Sequence, residues 1–164
     1  MIRTRTDDMQ SRPSFPLTPN CNFLVEIDGL EEAGPAVAGG FRDVSGLVSC
    51  SEILEYRVGN QSAPMKIPGR PVYGNILLSR GVTSSAALYL WRRRVEEGEE
   101  DLRSGSIVLL DAAMREKARW NFYGAWPCRY EGPELESSGA ELSVETLELV
   151  VEKLERIQLE EVDQ

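Results

Sequence analysis

The stretch that most constrains this fold is MKIPGRPVYGNILLSRG, residues 65–81. Two prolines and a glycine near its start restrict the backbone, and loops of this composition lie at protein surfaces. The sequence therefore predicts a stiff, basic loop at 65–71, followed by an apolar strand at 72–78. Residues 59–71 form the longest predicted loop, and long ordered loops are usually functional or interfacial.

This loop places apolar side chains next to basic ones, with little neighbouring sequence to bury them. Apolar anchors rimmed by charge indicate a contact with another protein. Because the chain as a whole is acidic, the cations of the loop would dock onto a neighbour's carboxylates. The predicted contact residues are Met65, Lys66, Ile67, Pro68, Gly69, Arg70 and Tyr73.

Short alternating runs that end at glycine predict a mainly β chain. In the first run, Phe23, Val25 and Ile27 occupy alternate positions, and Gly29 follows. The segment 33–40 is too rich in glycine for a helix and is predicted to be a turn. Strands are predicted over 23–28, from Phe41 onward, and at about 48–58, 72–78, 106–112 and 117–125.

The last apolar segment, at about 141–152, is ambiguous. Leu142 and Val144 are in phase with each other, but Leu147 and Leu149 are out of phase with them. This slip indicates either a bulge or burial on both faces of a strand. A helix also fits the spacing, but the frequent β-branched residues favour a strand.

Aromatic residues cluster on the predicted strand at 117–125 and just after it. Trp120 and Phe122 share one side of the strand, with Trp126 at its end. Such a row forms core or subunit interface more often than a base-stacking platform, and the acidic composition supports that interpretation.

One helix is predicted, at about 84–97. Thr83 or Ser84 can cap its start by accepting from free backbone N–H groups, and Gly98 occupies the usual position after its end. The spacing i, i+3 and i+7 gives the helix an apolar face that packs on the sheet. The residues of that face are Leu88, Trp91 and Val95.

The net charge of −9 limits the partners of this chain. An acidic surface repels nucleic acid and anionic lipid, so direct binding to either is not expected. No run of about 18 apolar residues is present, so no membrane anchor is expected. The first residues lack the apolar part of a secretory signal, which predicts a protein made in the cytoplasm.

Signatures of catalysis and of metal binding are missing from the sequence. The chain has no histidine, the commonest general base and metal ligand. It has no glycine-rich phosphate loop, and its three cysteines lack C-x-x-C spacing. Neither an enzyme nor a cofactor is expected. In a distant alternative, a carboxylate hydrolase, the acid–base pair would be Glu26 with Asp28, or Glu145 with Glu148.

Six segments, taken in their order along the chain, resemble the tail tube family of contractile phage tails and related phage-tail-like injection particles. Each segment alone is weak evidence, but together they span nearly the whole chain. They are NFLVEIDGL (22–30), FRDVSGL (41–47), EYRVGN (55–60), the stretch 65–81, ARWNFYGAWPCRYEGPEL (118–135) and ELSVETLELV (141–150).

The resemblance implies an antiparallel β-barrel or sandwich with one flanking helix, built into hexameric rings that stack as a hollow tube. Stacking would use the extended segment at about 52–73. Its implied partners are further copies of itself, a contractile sheath protein, and baseplate and tube-initiator proteins. Cargo or DNA would pass through the lumen without specific binding, because an acidic wall does not retain it.

Residues 1–21 lack periodicity and contain several prolines, which predicts an N-terminal arm, followed by a barrel domain at 22–153 and an acidic end at 154–164. Two related functions remain open: a paralogue at the baseplate end of the tube, and a secreted ring protein of the type VI secretion kind. A monomeric β-barrel binding module is the unrelated alternative.

Overall fold

The computed structural model describes residues 22–31, 34–37, 41–139 and 141–158. Within these residues the chain forms ten strands and one helix. In chain order they are β1 (Phe23–Glu31), β2 (Gly34–Val37), β3 (Phe41–Ser45), β4 (Ser49–Tyr56), β5 (Met65–Tyr73), β6 (Ile76–Gly81), α1 (Ala87–Glu96), β7 (Arg103–Leu110), β8 (Glu116–Glu131), β9 (Val144–Val150) and β10 (Lys153–Ile157).

Eight of the strands form one antiparallel sheet in the order β2-β1-β7-β8-β9-β6-β3, and β10 is an additional neighbour of β8. The first part of β8 pairs with β7 and β10, and its last part pairs with β9. The sheet with α1 is called the body below. β4 and β5 form a separate two-stranded sheet. The predicted fold class, mainly β with one flanking helix, is confirmed.

The body closes around a single apolar cluster. Val25 and Ile107, from one half of the sheet, belong to the same cluster as Leu78 and Leu149 from the other half. Because side chains alternate along a strand, each strand contributes every second residue to this interior. The sheet therefore folds over itself as a barrel or sandwich does.

The helix covers this cluster with the face that its spacing predicts. Leu88 and Trp91 are buried, and Val95 is half-buried against the core. Trp91 Nε1 donates to the backbone oxygen of Asp101, 2.9 Å away, and the Arg103 guanidinium lies 5.3 Å from the centre of the indole ring. These contacts hold the turn after α1 against the start of β7.

The predicted start of the helix is wrong, whereas its end is confirmed. The N-cap is Ala86, which offers no side-chain cap, and Thr83 Oγ1 instead accepts from the N–H of Ser85. Val82 N–H donates to the Ser143 oxygen, so the segment before α1 is held in another conformation. Gly98 has φ 89°, the left-handed conformation expected after a helix end.

The segment predicted to be a turn at 33–40 contains a strand. Residues 34–37 form β2, because Ala36 and Val37 pair with Ile27 and Glu26 of β1. The backbone partner overrides the high glycine content. The remaining residues of this segment lie outside the described part of the chain, as does the predicted arm at 1–21.

The ambiguous C-terminal segment is a strand, as favoured. Glu145, Leu147 and Leu149 take the buried positions of β9, whereas Leu142 is 88% exposed and precedes the strand. The apparent slip therefore arises before β9 begins. β10 then follows along the same edge of β8, so the boundary predicted at residue 153 falls inside a strand.

A bulge in β8 lies opposite the break between β9 and β10. Phe122 pairs with Gly105 and Ala125 pairs with Arg103, so β8 has one extra residue here. Gly124 has φ 59°, and a Cβ atom added to it would lie 2.5 Å from a Glu152 carboxylate oxygen. The left-handed backbone conformation favours glycine at this position, and a larger residue would also displace the exposed Glu152 side chain.

The bulge also interrupts the predicted aromatic row. Phe122 is buried, and Trp120 is half-buried against the core. Beyond the bulge the buried positions pass to Ala125 and Pro127. Trp126 is instead half-buried beside a shallow cavity of about 260 Å³ that Val95, Glu99, Glu100, Asp101 and Leu102 also line.

A buried ion pair joins the neighbouring strands β6 and β9 and connects them to the segment just before α1. Arg80 Nε on β6 lies 2.5 Å from Glu145 Oε1 on β9, and both side chains are less than a tenth exposed. Arg80 also donates to the Ser85 oxygen, and the Tyr130 hydroxyl donates to Glu145 Oε2 at 2.8 Å. Partial burial, aided by this hydrogen bond to a carboxylate, raises the pKa of Tyr130.

We expect Glu145→Ala to lower the free energy of unfolding by about 3 to 5 kcal/mol, because it leaves the buried Arg80 guanidinium without its counter-charge. Tyr130→Phe removes one hydrogen bond but keeps the ion pair, and should cost about 1 to 2 kcal/mol. Urea denaturation of the two variants measures both values. Equal, small losses would contradict the assigned role of the pair.

Candidate functional site

The candidate site is the hairpin of β4 and β5, which lies outside the sheet of the body. Its strands pair from Ser49 with Tyr73 to Tyr56 with Met65, with one bulge between them, and almost all of their residues are exposed. A two-stranded hairpin alone is marginally stable in water. The hairpin therefore requires a further surface to cover it.

The predicted loop at 65–71 is wrong, because these residues belong to β5. The strand predicted at 72–78 is also divided, since β5 ends at Tyr73 and β6 begins at Ile76. Prolines predict a loop because they cannot donate a backbone hydrogen bond. In a two-stranded sheet each strand keeps one free edge, and there proline is tolerated.

One face of the hairpin is apolar. Cross-strand partners point to the same side of a sheet, and so do residues two apart on one strand. Five of the side chains on this face are between 44% and 60% exposed, and Cys50 is exposed as well. The apolar face of the hairpin consists of the pairs Cys50 with Val72, Leu54 with Ile67, and Tyr56 with Met65, and the charged Glu52 lies on the same side between Cys50 and Leu54.

The predicted contact residues are divided between the two faces. Met65 and Ile67 lie on the apolar face, whereas Lys66 pairs with Glu55, and Pro68 with Ile53, on the opposite face. From Ile53 to Ser51 the partner strand advances by three residues, from Pro68 to Pro71, so Gly69 and Arg70 lie in a bulge. Tyr73, at the base, is half-buried against the core of the body.

The predicted contact residues leave out Leu54 and Tyr56 of β4, although the segment implied for stacking, 52–73, includes both. Leu54 and Tyr56 alternate with Ile53 and Glu55 in the strand predicted at 48–58, and the period-two pattern is visible in the sequence. Which of the two sides joins Met65 and Ile67 depends on cross-strand register, which only the structure supplies.

The base of the hairpin is held against the body by close packing between the backbones of Gly46 and Asn75. Gly46 has φ 85°, and a Cβ atom there would lie 1.9 Å from the Asn75 carbonyl oxygen. Val48 N–H donates to the Gly46 oxygen, and Asn75 Nδ2 donates to Glu148 Oε1 on β9 at 2.7 Å. These contacts hold the hairpin in a defined orientation at its base.

The hairpin is also more basic than the rest of the chain. Its strands and tip carry three cations, Arg57, Lys66 and Arg70, against two carboxylates, Glu52 and Glu55. All five residues are exposed. An apolar surface flanked by cations, on a chain of net charge −9, is suited to bind an acidic protein surface.

The described residues offer little to other kinds of site. Among them, no group of three or more cysteine, aspartate or glutamate side chains is placed to hold a metal ion. The shallow cavity beside Trp126 is open to solvent and has an acidic rim. In the same part of the chain, no helix has the length and apolar character needed to cross a bilayer.

Solved structures share this fold. The chain is similar to one from the PVC sheath–tube complex of an extracellular contractile injection system in the extended state, with a TM-score of 0.77, 22% identity and coverage of 94% of this chain and 100% of that one. A chain from the anti-feeding prophage tube-terminating cap gives a TM-score of 0.77 at 24% identity, covering 93% and 97%. A crystal structure of an Hcp protein gives 0.52 at 13% identity, covering 80% and 89%.

A family profile matches most of the sequence. No curated protein matches the chain. The profile described as T4-like virus tail tube protein gp19 aligns with residues 19–155. This range includes β1 to β9, with the hairpin, and ends within β10. The chain therefore belongs to the T4-like virus tail tube protein family.

Proposed function

We propose that this protein is a structural subunit of the inner tube of a contractile phage tail or of a phage-tail-like injection particle. The single observation that carries the proposal is the hairpin, whose apolar face is exposed in the monomer. Membership of the tail tube family supports it. The role is mechanical, and the subunit itself makes or breaks no bond.

The edges of the main sheet support assembly into closed rings. β2 and β3 are the two ends of its strand order, so each presents a row of backbone groups to any neighbouring chain. Exposed sheet edges are templates for pairing, and closing a ring removes them. A hexamer joined edge to edge would satisfy these groups, as the resemblance to tail tubes implies.

The hairpin then connects one ring with the next. Its strand β5 has nine residues, which corresponds to about 30 Å at roughly 3.3 Å per residue, enough to cross from one ring onto another. Burying its apolar face against the adjacent ring would remove the exposed side chains from water. Rings joined in this way form a tube.

The partners and the cargo follow from this arrangement. Similar chains come from a sheath–tube complex, a tube-terminating cap and a baseplate. For this chain we propose a contractile sheath around the tube, with baseplate and tube-initiator proteins at one end. An acidic subunit allows DNA or protein cargo to pass without specific binding, because like charges repel.

A secreted ring protein of the type VI secretion kind is the second candidate. Similarity to an Hcp protein, with a TM-score of 0.52, favours it, but the similarity to contractile injection system chains is higher at 0.77. The two functions differ in whether rings stack through a long hairpin into stable tubes.

Negative-stain electron microscopy of the concentrated, purified protein tests the function. We expect hollow rings with six-fold symmetry that stack into tubes, because the edges and the hairpin both require partners. Isolated rings that never stack would favour the secreted ring protein. Compact monomers that persist even with a purified baseplate complex would contradict both.

Leu54→Ser should reduce tube formation strongly without unfolding the subunit. Leu54 lies on the apolar face of the hairpin and is 52% exposed, so its loss removes about 1 kcal/mol of burial at each ring–ring contact. The matched control is Leu90→Ser on α1, where the leucine is 45% exposed. Sedimentation separates tubes from rings, and equal tube yields from the two variants would contradict the role of this face.

A further inference from the structure

We propose that the loop between β8 and β9, of which the structure describes residues 132–139 and 141–143, is the surface on which the hairpin of a second copy docks. This inference rests on the proposed stacking function, and it identifies the surface that receives the hairpin. It derives from the position of this loop, its exposed leucines and its charge.

The loop and the hairpin lie at opposite ends of β6. β6 begins at Ile76, three residues after the end of β5, and ends at Gly81. Gly81 pairs with Val144, the first residue of β9, which directly follows the loop. Six residues of strand separate the two ends by about 17 to 20 Å. A subunit therefore presents its hairpin at one end and the loop at the other.

The loop exposes large apolar side chains. Leu135 is 81% exposed and Leu142 is 88% exposed, the two highest values among the large apolar residues that the structure describes. Val82, 50% exposed, lies at the end of the loop next to Leu142, because its N–H donates to the oxygen of Ser143 at 2.9 Å. Apolar groups at this end of the body match the apolar face of the hairpin in kind.

The charges of the two surfaces are opposite. From residue 132 to residue 143 the loop has three carboxylates, Glu134, Glu136 and Glu141, and neither lysine nor arginine. All three are exposed, and among the described residues no cationic nitrogen lies within 4.0 Å of them. The hairpin carries Arg57, Lys66 and Arg70 against Glu52 and Glu55, a net charge of +1, so it attracts the acidic loop, whereas two loops repel each other.

The geometry also determines the kind of assembly. A contact between two different surfaces is heterologous, and it repeats without limit when the copies are related along one axis. A hairpin that binds the opposite end of the next copy gives this repeat. Docking of hairpin on hairpin would instead give a closed pair of rings and would bring like cations together.

The test reverses the charge of the loop in the full chain with Glu134→Lys and Glu136→Lys. We expect rings to persist and the yield of tubes, measured by sedimentation and electron microscopy at low salt, to fall at least tenfold. The matched control is Glu99→Lys with Glu100→Lys, an equal change of charge on exposed carboxylates after α1. Circular dichroism verifies that each variant is folded.

A rescue makes the test specific. Lys66→Glu and Arg70→Glu alone should also prevent stacking, because both partners of the contact are then acidic. When the loop and hairpin reversals are combined in one chain, the attraction is restored with opposite sign, and tubes should return to at least half of the original yield.

The outcomes separate this inference from the proposed function. If Leu54→Ser abolishes tubes but the loop variant stacks normally, the hairpin binds elsewhere and the inference is overturned, while the function stands. If the loop variant stacks normally but no longer binds a purified baseplate complex, the loop serves that partner and the inference is again overturned. If neither Leu54→Ser nor the loop variant affects tubes, the proposed stacking function itself fails.

Discussion

The rest of the structure depends on the backbone pairing of β8. This one strand of 16 residues is hydrogen-bonded to β7 and β10 along its first part and to β9 along its last. A strand of that length must bend to enclose a core, and the bulge at Gly124 provides the bend. Both halves of the sheet, and the helix that packs on β8, take their positions from it.

In contrast to the body, which has a buried core, the hairpin is almost entirely exposed. Its own two strands are paired, but no other described residues cover its apolar face, whose large side chains are between 44% and 60% exposed. Within the described part of the chain, the body restrains it at the base, where Gly46 packs against Asn75 and Asn75 donates to Glu148. An exposed element that is rigidly attached at one end is pre-organised to bind a neighbour, because little orientational freedom is then lost on binding.

Assembly in this picture removes three kinds of unsatisfied surface: the open sheet edges, the apolar face of the hairpin and the exposed leucines of the β8–β9 loop. Edge pairing closes a ring, whereas the hairpin and the loop, at opposite ends of β6, extend it along an axis. Because backbone pairing forms the ring and side-chain contacts form the stack, one assembly can contain both a closed ring and an open stack.

The sequence by itself determined the composition and net charge of the protein and most of its secondary structure. The absence of histidine, the acidic charge and the period-two runs are properties of composition and local spacing, and the helix face of Leu88 and Trp91 follows from a period of 3.6 residues. The tertiary structure alone decided that 65–73 is a strand, that β2 forms, and that Trp126 lies beyond a bulge. These features depend on cross-strand partners: β5 pairs with β4 and keeps a free edge where its prolines are tolerated, β2 pairs with β1, and register places Leu54 beside Ile67. Local spacing carries no information about which strand will be the neighbour, and the candidate site consists of such pairings.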